Sequence, residues 1–356
     1  MDNTRRTFLK NTALISSTLT TTSRLWAQDT KSDFVRIAAE ETFTIPEVLE
    51  ALSELVARDP DRVPPHATIL EPEMSSALVD LGARRISSMD EARIDKQILG
   101  IWSPGVQVFG SSQGTELAQL ANDRLAEAIR QHPDRFAGLA TIAPQDPDSA
   151  VQEMERAVID LGLNGILINS HTNNEFLDQR QYWAILEAAE ALETPIYLHP
   201  RIPPAQMYGA LTDYTLYSAL WGFGIEASTH AVRLLMSGVF DEFPRLKIIL
   251  GHMGEGIPFW LSRLDVISSS RPGMPTTARR PSEYFIENFA IVTSAMFWDP
   301  VLTFCHSVLG PEKIMFGIDY PFAPSAAATR WMDAAPLPQA DKRMIYQENA
   351  ERIFSL

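Results

Sequence analysis

Eight short apolar runs are spaced along the chain, and segments with helical periodicity separate most of them. Short apolar runs that alternate with helices are typical of βα units and of a parallel sheet. The predicted strands cover residues 36–39, 96–102, 136–142, 164–169, 195–199, 247–250, 289–294 and 314–318. The predicted helices cover residues 45–55, 115–131, 148–161, 178–192, 225–240, 256–268, 299–309 and 339–354. This pattern predicts an α/β protein with one (β/α)8 TIM-type barrel over residues 28–356.

The main alternative is a doubly wound sheet, which would require a Gly-rich phosphate turn after its first strand. The sequence has no such turn there, so the barrel is favoured. Residues 43–95 and 200–224 are longer than simple connections. We expect them to form extended loops, lids and pocket walls at the carboxyl-terminal rim of the barrel.

The first 27 residues have the features of an export signal. Arg5 and Arg6 are followed by Phe8, a mildly apolar stretch and, at its end, Ala27. The segment resembles a bacterial twin-arginine signal cleaved after Ala27, which implies a periplasmic protein with no membrane attachment after cleavage. An amphipathic amino-terminal helix that carries two arginines by chance is the alternative interpretation.

The composition narrows the class of partner. The chain has 356 residues, of which 45% are hydrophobic, so it can bury a large core. Its formal net charge of −15 argues against binding to nucleic acid, which requires a basic surface. The single cysteine, Cys305, excludes an internal disulfide and lies in an apolar stretch typical of a buried structural thiol.

Four acidic or imidazole side chains each follow one of the predicted strands. They are Glu40, His199, His252 and Asp319. Because the strands of a parallel barrel all point the same way, residues that end different strands meet at one rim. Carboxylates that converge in such a low-dielectric place repel each other or lose their charge unless a cation joins them. The sequence therefore predicts one divalent metal ion, and mixed oxygen and nitrogen ligands suit Zn²⁺, Mn²⁺ or Mg²⁺ equally.

Each of these residues also has a simpler interpretation. A lone histidine in a strand is more often a hydrogen-bonded core residue than a ligand, and Asp319 by itself is equally consistent with a turn cap. Successive strand residues face opposite sides. If Glu40 faces inward, Glu41 must therefore pack outward or pair with an arginine. The glycines after His252 permit a tight turn that would place Glu255 against the imidazole as an orienting partner.

Several segments of the mature chain resemble one known family. They are residues 39–43 (Ala-Glu-Glu-Thr-Phe), 197–201 (Tyr-Leu-His-Pro-Arg), 250–255 (Leu-Gly-His-Met-Gly-Glu) and 316–321 (Phe-Gly-Ile-Asp-Tyr-Pro). Together they look like the amidohydrolase-2 family, and within it the metal-dependent, non-oxidative decarboxylases of hydroxybenzoates. The resemblance covers essentially the whole mature chain.

The resemblance implies metal ligands at Glu40, His199 and Asp319. It implies a catalytic pair at His252 and Glu255, and either this pair or Asp319 would deliver a proton to the substrate. Many hydrolytic relatives place a second ligand two residues after the first, and γ-resorcylate decarboxylases also have a histidine there. Here that position is Thr42, a poor ligand, as in the 2,3-dihydroxybenzoate and salicylate decarboxylases, and this difference favours those enzymes over the hydrolases.

The leading prediction is thus a carboxy-lyase that acts on a small hydroxyaromatic or related unsaturated carboxylic acid. A metal-dependent hydrolase of a lactone, cyclic ester or amide is the alternative. A third interpretation is an inactive barrel that serves as a binding protein, since residues 295–296 and Ala323 depart from the family pattern. Arg201 and Arg263 are candidates to hold the substrate carboxylate. The family also implies a homodimer or homotetramer.

Overall fold

The strands of the protein form one sheet in the order in which they occur along the chain. The structure is a computed structural model that describes residues 34–59, 63 and 70–356. Within this part of the chain, the sheet has eight strands in the order β1 to β8, and every neighbouring pair is parallel. The strands are β1 (Ile37–Phe43), β2 (Lys96–Ile101), β3 (Phe136–Thr141), β4 (Gly165–Asn169), β5 (Ile196–His199), β6 (Ile248–Leu250), β7 (Phe289–Val292) and β8 (Ile314–Met315). All eight predicted strands are confirmed.

Hydrogen bonds between β1 and the chain that follows β8 bring the two edges of the sheet together. The Ala39 amide donates to the Phe316 carbonyl at 2.8 Å, and the Asp319 amide donates to the Glu40 carbonyl at 2.9 Å. These contacts make the sheet a (β/α)8 barrel, so the predicted fold is confirmed.

The helices surround the barrel and agree with most of the predicted segments. In the described residues they are α1 (Pro46–Arg58), α2 (Pro72–Val79), α3 (Ala83–Ala92), α4 (Ser111–Gln131), α5 (Pro147–Glu155), α6 (Trp183–Ala191), α7 (Ala205–Tyr208), α8 (Gly222–Met236), α9 (Val239–Glu242), α10 (Ile257–Ser270), α11 (Pro281–Asn288), α12 (Asp299–Leu309), α13 (Ser325–Ala334), α14 (Gln339–Arg343) and α15 (Asn349–Phe354). The start of α5 follows its sequence signal, because the Asp146 carboxylate accepts a hydrogen bond from the Ser149 amide at 3.2 Å. The long segment 43–95 contains α2 and α3, which the apolar pattern did not predict.

The strands β1 and β8 differ from the predicted runs, and the differences affect where Glu40 and Asp319 lie at the rim. β1 continues to Phe43 and therefore passes through Glu40 instead of ending before it. Its pairing with β2 shifts between Ala38 and Glu41, which marks a β-bulge around Glu40. β8 has only two residues in the ladder, and Asp319 lies in the irregular chain beyond it.

The strands are buried on both faces, because side chains fill the barrel and helices cover its outside. Every residue of β1 and of β3 to β8 is buried. Cys305 is also buried, and burial raises the pKa of its thiol to about 11, as expected for a structural cysteine.

The predicted export signal, with its cleavage after Ala27, lies outside the described residues and stays a prediction. In the part of the chain that the structure covers, no helix combines the length and the apolar character needed to cross a membrane.

Candidate active site

Three of the predicted side chains meet at the carboxyl-terminal rim of the barrel. Glu40, His199 and Asp319 each offer one ligand atom, and these atoms all lie within 4.8 Å of one another. Glu40 and His199 are buried, and the side chain of Asp319 is 16% exposed. Residues 40 and 319 are far apart in sequence but adjacent in space, because β1 and the chain after β8 are neighbours across the barrel closure.

The carboxylate of Glu40 is held in place through one of its two oxygens. Its Oε2 atom accepts short hydrogen bonds from the hydroxyls of Tyr197 and Ser294. Its Oε1 atom is buried and has no hydrogen-bond partner. Gly251 lies directly behind this carboxylate, since a Cβ atom there would be 2.4 Å from Oε2. Glu40 therefore presents one free oxygen from a fixed position.

His199 is oriented by a residue on the neighbouring strand. Its Nδ1 atom lies 3.0 Å from the Asn169 Oδ1 atom, and the two residues are paired in the register of β4 and β5. Because the amide oxygen can only accept, Nδ1 donates and the other ring nitrogen keeps its lone pair. That nitrogen, Nε2, is 3.7 Å from Glu40 Oε1. Burial lowers the pKa of His199 to about 4, which favours the neutral imidazole that a metal ligand requires.

His252 stands between the carboxylates of the cluster. Its Nδ1 atom is 2.7 Å from Glu255 Oε1, and its Nε2 atom is 3.7 Å from Glu40 Oε1 and 3.8 Å from Asp319 Oδ2. Burial alone would lower the pKa of His252, but the charges of Glu255 and Glu40 outweigh it and raise this pKa well above its usual value. This shift favours the protonated imidazole, and the ring faces Asp319.

The turn that carries His252 has the geometry that its glycines suggested. Met253 and Glu255 have positive φ angles of 57° and 52°, and Gly254 and Gly256 have φ angles of 75° and 76°. Left-handed residues in succession fold the chain back within a few positions. This fold brings Glu255 to the ring of His252, as the sequence predicted for an orienting partner.

The donor set fits one divalent cation. Burial raises the pKa values of both Glu40 and Asp319, so a nearby positive charge is needed to keep the two carboxylates ionised. The orphaned Glu40 Oε1 atom, the free His199 Nε2 atom and the Asp319 carboxylate converge as an O, N, O set, and mixed sets of this kind suit Zn²⁺ or Mn²⁺. Thr42 does not contribute, because its hydroxyl donates to the Tyr320 carbonyl at 2.9 Å.

A cavity of about 980 Å³ opens over this cluster. His199, His252 and Asp319 line its polar end, and Tyr217 and Phe322 are among its aromatic walls. Parts of the long segment 200–224 thus form a wall of the cavity, as predicted.

The two candidate arginines lie in different places. Arg201 is buried in the cavity wall, and its Nη1 atom donates to the His171 carbonyl at 3.0 Å. Arg263 is exposed on α10 and does not line this cavity. Of these two arginines, Arg201 is the one placed where it could contact a small molecule in the cavity.

Sequence reasoning assigned no role to Asn169, Tyr197 or Ser294. A usable signal was present for two of them. Asn169 ends the fourth predicted strand and Ser294 ends the seventh, which is the same position that singled out His199. Tyr197 gave no comparable signal, because a tyrosine inside an apolar run is usually a core residue.

The fold and the cluster together define a (β/α)8 barrel with a candidate metal centre at its carboxyl-terminal rim. The model of the amidohydrolase family (Amidohydro_2) matches residues 51–356. The chain therefore belongs to this family, as its motifs predicted.

Several proteins similar to this chain are decarboxylases. The chain is 37% identical over 336 residues to γ-resorcylate decarboxylase of Polaromonas sp. (strain JS666), an alignment that covers 90% of this chain and 98% of the relative. The crystal structure of 5-carboxyvanillate decarboxylase from Sphingomonas paucimobilis is similar with a TM-score of 0.87 and 44% identity, over 91% of this chain and 99% of that one. A dihydroxybenzoic acid decarboxylase from Polaromonas sp. JS666, solved with manganese and 2-nitroresorcinol, has a TM-score of 0.82 and 36% identity, over 91% and 97%.

Proposed function

We propose that the protein is a metal-dependent, non-oxidative decarboxylase of a small hydroxyaromatic carboxylic acid. One observation carries the proposal: the buried cluster of Glu40, His199 and Asp319 faces His252 at the end of a cavity large enough for such an acid. The similarity to γ-resorcylate and 5-carboxyvanillate decarboxylases supports the same reaction.

Glu40 Oε1, His199 Nε2 and the Asp319 carboxylate are the atoms that would hold the metal ion. A divalent ion bound there would supply positive charge that stabilises negative charge on the substrate. Asn169 keeps the Nε2 lone pair of His199 directed at the cluster, and Tyr197 keeps Glu40 Oε1 free. The Mn²⁺ in the structure of the Polaromonas relative supports a metal of this kind.

The reacting carbon must be protonated before CO₂ leaves, because an aryl carbanion would otherwise be formed. His252 Nε2 lies 3.8 Å from Asp319 Oδ2, and both side chains line the cavity, so either of them would deliver the proton. Transfer of this proton forms a C–H bond at the carbon that bears the carboxylate. The bond to the carboxylate then breaks, its electron pair returns to the ring, and CO₂ is released. Glu255 stabilises the positive charge of the protonated His252 before the proton is transferred.

The test combines metal analysis with a reaction screen on one preparation. We expect one equivalent of divalent metal per chain and CO₂ release from at least one member of a panel of ortho-hydroxybenzoates. Release of acid from lactones, without CO₂ release from any benzoate, would favour the hydrolase. A folded protein that retains no metal after incubation with Mn²⁺ would contradict both enzymatic functions and favour the inactive barrel.

We further propose that the protein is exported to the periplasm by the twin-arginine route. The pair Arg5-Arg6 before the apolar stretch supports this proposal. Replacement of both arginines by lysine should leave the uncut precursor in the cytoplasm, whereas the wild type should be recovered from the periplasm without residues 1–27. An unchanged distribution of the double variant would contradict it.

Self-association into a dimer or tetramer is the remaining proposal. Two neighbouring aromatic side chains on α10 are exposed, Phe259 at 69% and Trp260 at 51%. Their ring centroids are 5.3 Å apart, and adjoining exposed aromatic side chains support an interface at this place. Light scattering of the purified protein gives its mass directly, and a monomer at micromolar concentration would contradict the proposal.

A further inference from the structure

We propose that Glu41, the neighbour of the candidate ligand Glu40, is a positioning residue that fixes the backbone around Asp319, and that Arg85 supports it from the barrel wall. The inference depends on the proposed role of Asp319 as a metal ligand. Glu41 and Arg85 are both buried, and neither takes part in the proposed reaction.

Glu41 binds the two backbone amides on either side of Asp319. Its Oε1 atom accepts a hydrogen bond from the Ile318 amide at 2.9 Å, and its Oε2 atom accepts one from the Tyr320 amide at 2.8 Å. The amide between them, that of Asp319, donates to the Glu40 carbonyl at 2.9 Å. Three consecutive amides after β8 are thus bound by two consecutive residues of β1.

The sheet restrains this segment only in part, through an isolated bridge between Glu41 and Tyr320 and a few backbone hydrogen bonds to β1. The ladder of β8 ends at Met315, so residues 318–320 lie beyond its regular pairing. Asp319 has a φ angle of 75°, in the left-handed region that a non-glycine residue adopts at a cost. A conformation of this kind persists only where surrounding contacts hold it. The carboxylate of Glu41 supplies two of those contacts, beside the bond from the Asp319 amide to the Glu40 carbonyl, and we expect the direction of the Asp319 side chain to depend on them.

Arg85 is a buried cation whose charge interacts favourably with that of Glu41. It is fully buried on α3, and its Nη2 atom donates to the carbonyls of Thr42 and Ala77 at 2.8 and 3.2 Å. Its guanidinium carbon lies 4.7 Å from the ring centroid of Tyr320. Arg85 therefore contacts the two segments that Glu41 joins. It contacts β1 through Thr42 and the segment after β8 through Tyr320. The attraction between the Arg85 cation and the Tyr320 ring also helps to hold the segment after β8 in place.

The substitution Glu41→Gln tests the contact with almost no change in volume. One carboxylate oxygen becomes an NH₂ group, which would face a backbone amide that also donates, so one of the two bonds is lost. We expect the affinity of the protein for Mn²⁺, measured by competition with a chelating dye, to fall by roughly 10- to 100-fold, the usual effect of losing an outer-shell partner of a ligand.

A matched control is available on the outside of the barrel. Glu153 is also buried, and its carboxylate contacts Asn122 and Arg156. Both Glu153→Gln and Glu41→Gln are expected to lower the melting temperature of the metal-free protein, but only Glu41→Gln should weaken Mn²⁺ binding. Equal Mn²⁺ affinity in the wild type and Glu41→Gln would overturn the proposal, and so would an equal loss in both variants.

Hydrogen exchange of the wild type tests the same contact without relying on a variant that folds. The amides of Ile318 and Tyr320 should be protected in the metal-free protein, since Glu41 binds them whether or not Mn²⁺ is present. Protection that appears only after Mn²⁺ is added would overturn the proposal. A wild type that binds no Mn²⁺ yet protects these amides would contradict the metal-dependent function and leave the role of Glu41 in fixing the backbone standing.

Discussion

Gly251 lies directly behind the Glu40 carboxylate, where only a glycine fits. A substitution at this position therefore tests whether Glu40 is part of the metal site. Its φ angle is −69°, an ordinary value, so alanine at this position meets no backbone strain. A Cβ atom would nevertheless lie 2.4 Å from Glu40 Oε2 and 2.7 Å from Oε1. The substitution Gly251→Ala therefore pushes on the proposed ligand and leaves the main chain unchanged.

The size of the effect follows from how firmly Glu40 is held. Ordinary contact begins near 3.4 Å, so the carboxylate must move by about 1 Å. A free glutamate would rotate away at little cost, but this one is bonded to Tyr197 and Ser294. Overpacking in such a place costs about 1–3 kcal/mol. Since about 1.4 kcal/mol corresponds to a tenfold change in affinity, Mn²⁺ binding should weaken by roughly 10- to 100-fold.

Isothermal titration of the metal-free protein with Mn²⁺ measures this change. Gly110→Ala is the control, because a Cβ atom at Gly110 has no atom within 4 Å. The control should bind Mn²⁺ like the wild type, and decarboxylation by Gly251→Ala should recover at high Mn²⁺ concentration. Wild-type affinity in Gly251→Ala would show that Glu40 is not part of the metal site and would refute the reasoning.

Three further predictions concern the groups around the cluster. His252→Asn should lower kcat at least 100-fold while Mn²⁺ still binds, because the proton donor is lost but the ligands remain; a wild-type kcat would contradict its role. Asn169→Leu should weaken Mn²⁺ binding by roughly 10- to 100-fold, since His199 loses its orienting partner, and the same titration measures it. Glu226 accepts a hydrogen bond from Ser170, and burial raises its pKa to about 8, above its ordinary value of 4.5. The protonated form is therefore favoured on folding, so its contribution to stability is full below pH 4.5 and is lost as the pH rises through 8. Thermal melts from pH 5 to 9 should show a smaller decline for Glu226→Gln than for the wild type, and parallel curves would contradict this.

The fold was predictable because it depends on a local pattern that repeats. Each strand is a short apolar run, and each predicted helix follows from periodicity or from a start signal such as Asp146-Pro147. The helices α2, α3, α7, α11 and α13 were not predicted. Of these, α2 and α3 lie in a long segment with no apolar run to delimit them, and in the structure α2 packs on β1 and α3 on α13.

The candidate site was predictable in part for the same reason. Glu40, His199, His252 and Asp319 are polar residues next to apolar runs, and a parallel barrel brings such residues to one rim. The sequence also restricted Glu41 to an outward position or an arginine partner. In the structure the Glu41 carboxylate instead accepts hydrogen bonds from the Ile318 and Tyr320 amides, and Arg85 acts on it only through its charge.

The sequence by itself therefore determined the strands, their parallel arrangement and the residue types that gather at the rim, since hydrophobic periodicity and residue chemistry are local properties. The tertiary structure alone decided how these side chains are aimed. Barrel closure places Asp319 beside Glu40, the β-bulge in β1 sets the angle of Glu40, and the left-handed backbone at residue 319 is held by Glu41. Such directions depend on contacts between residues distant along the chain, and no local pattern encodes them.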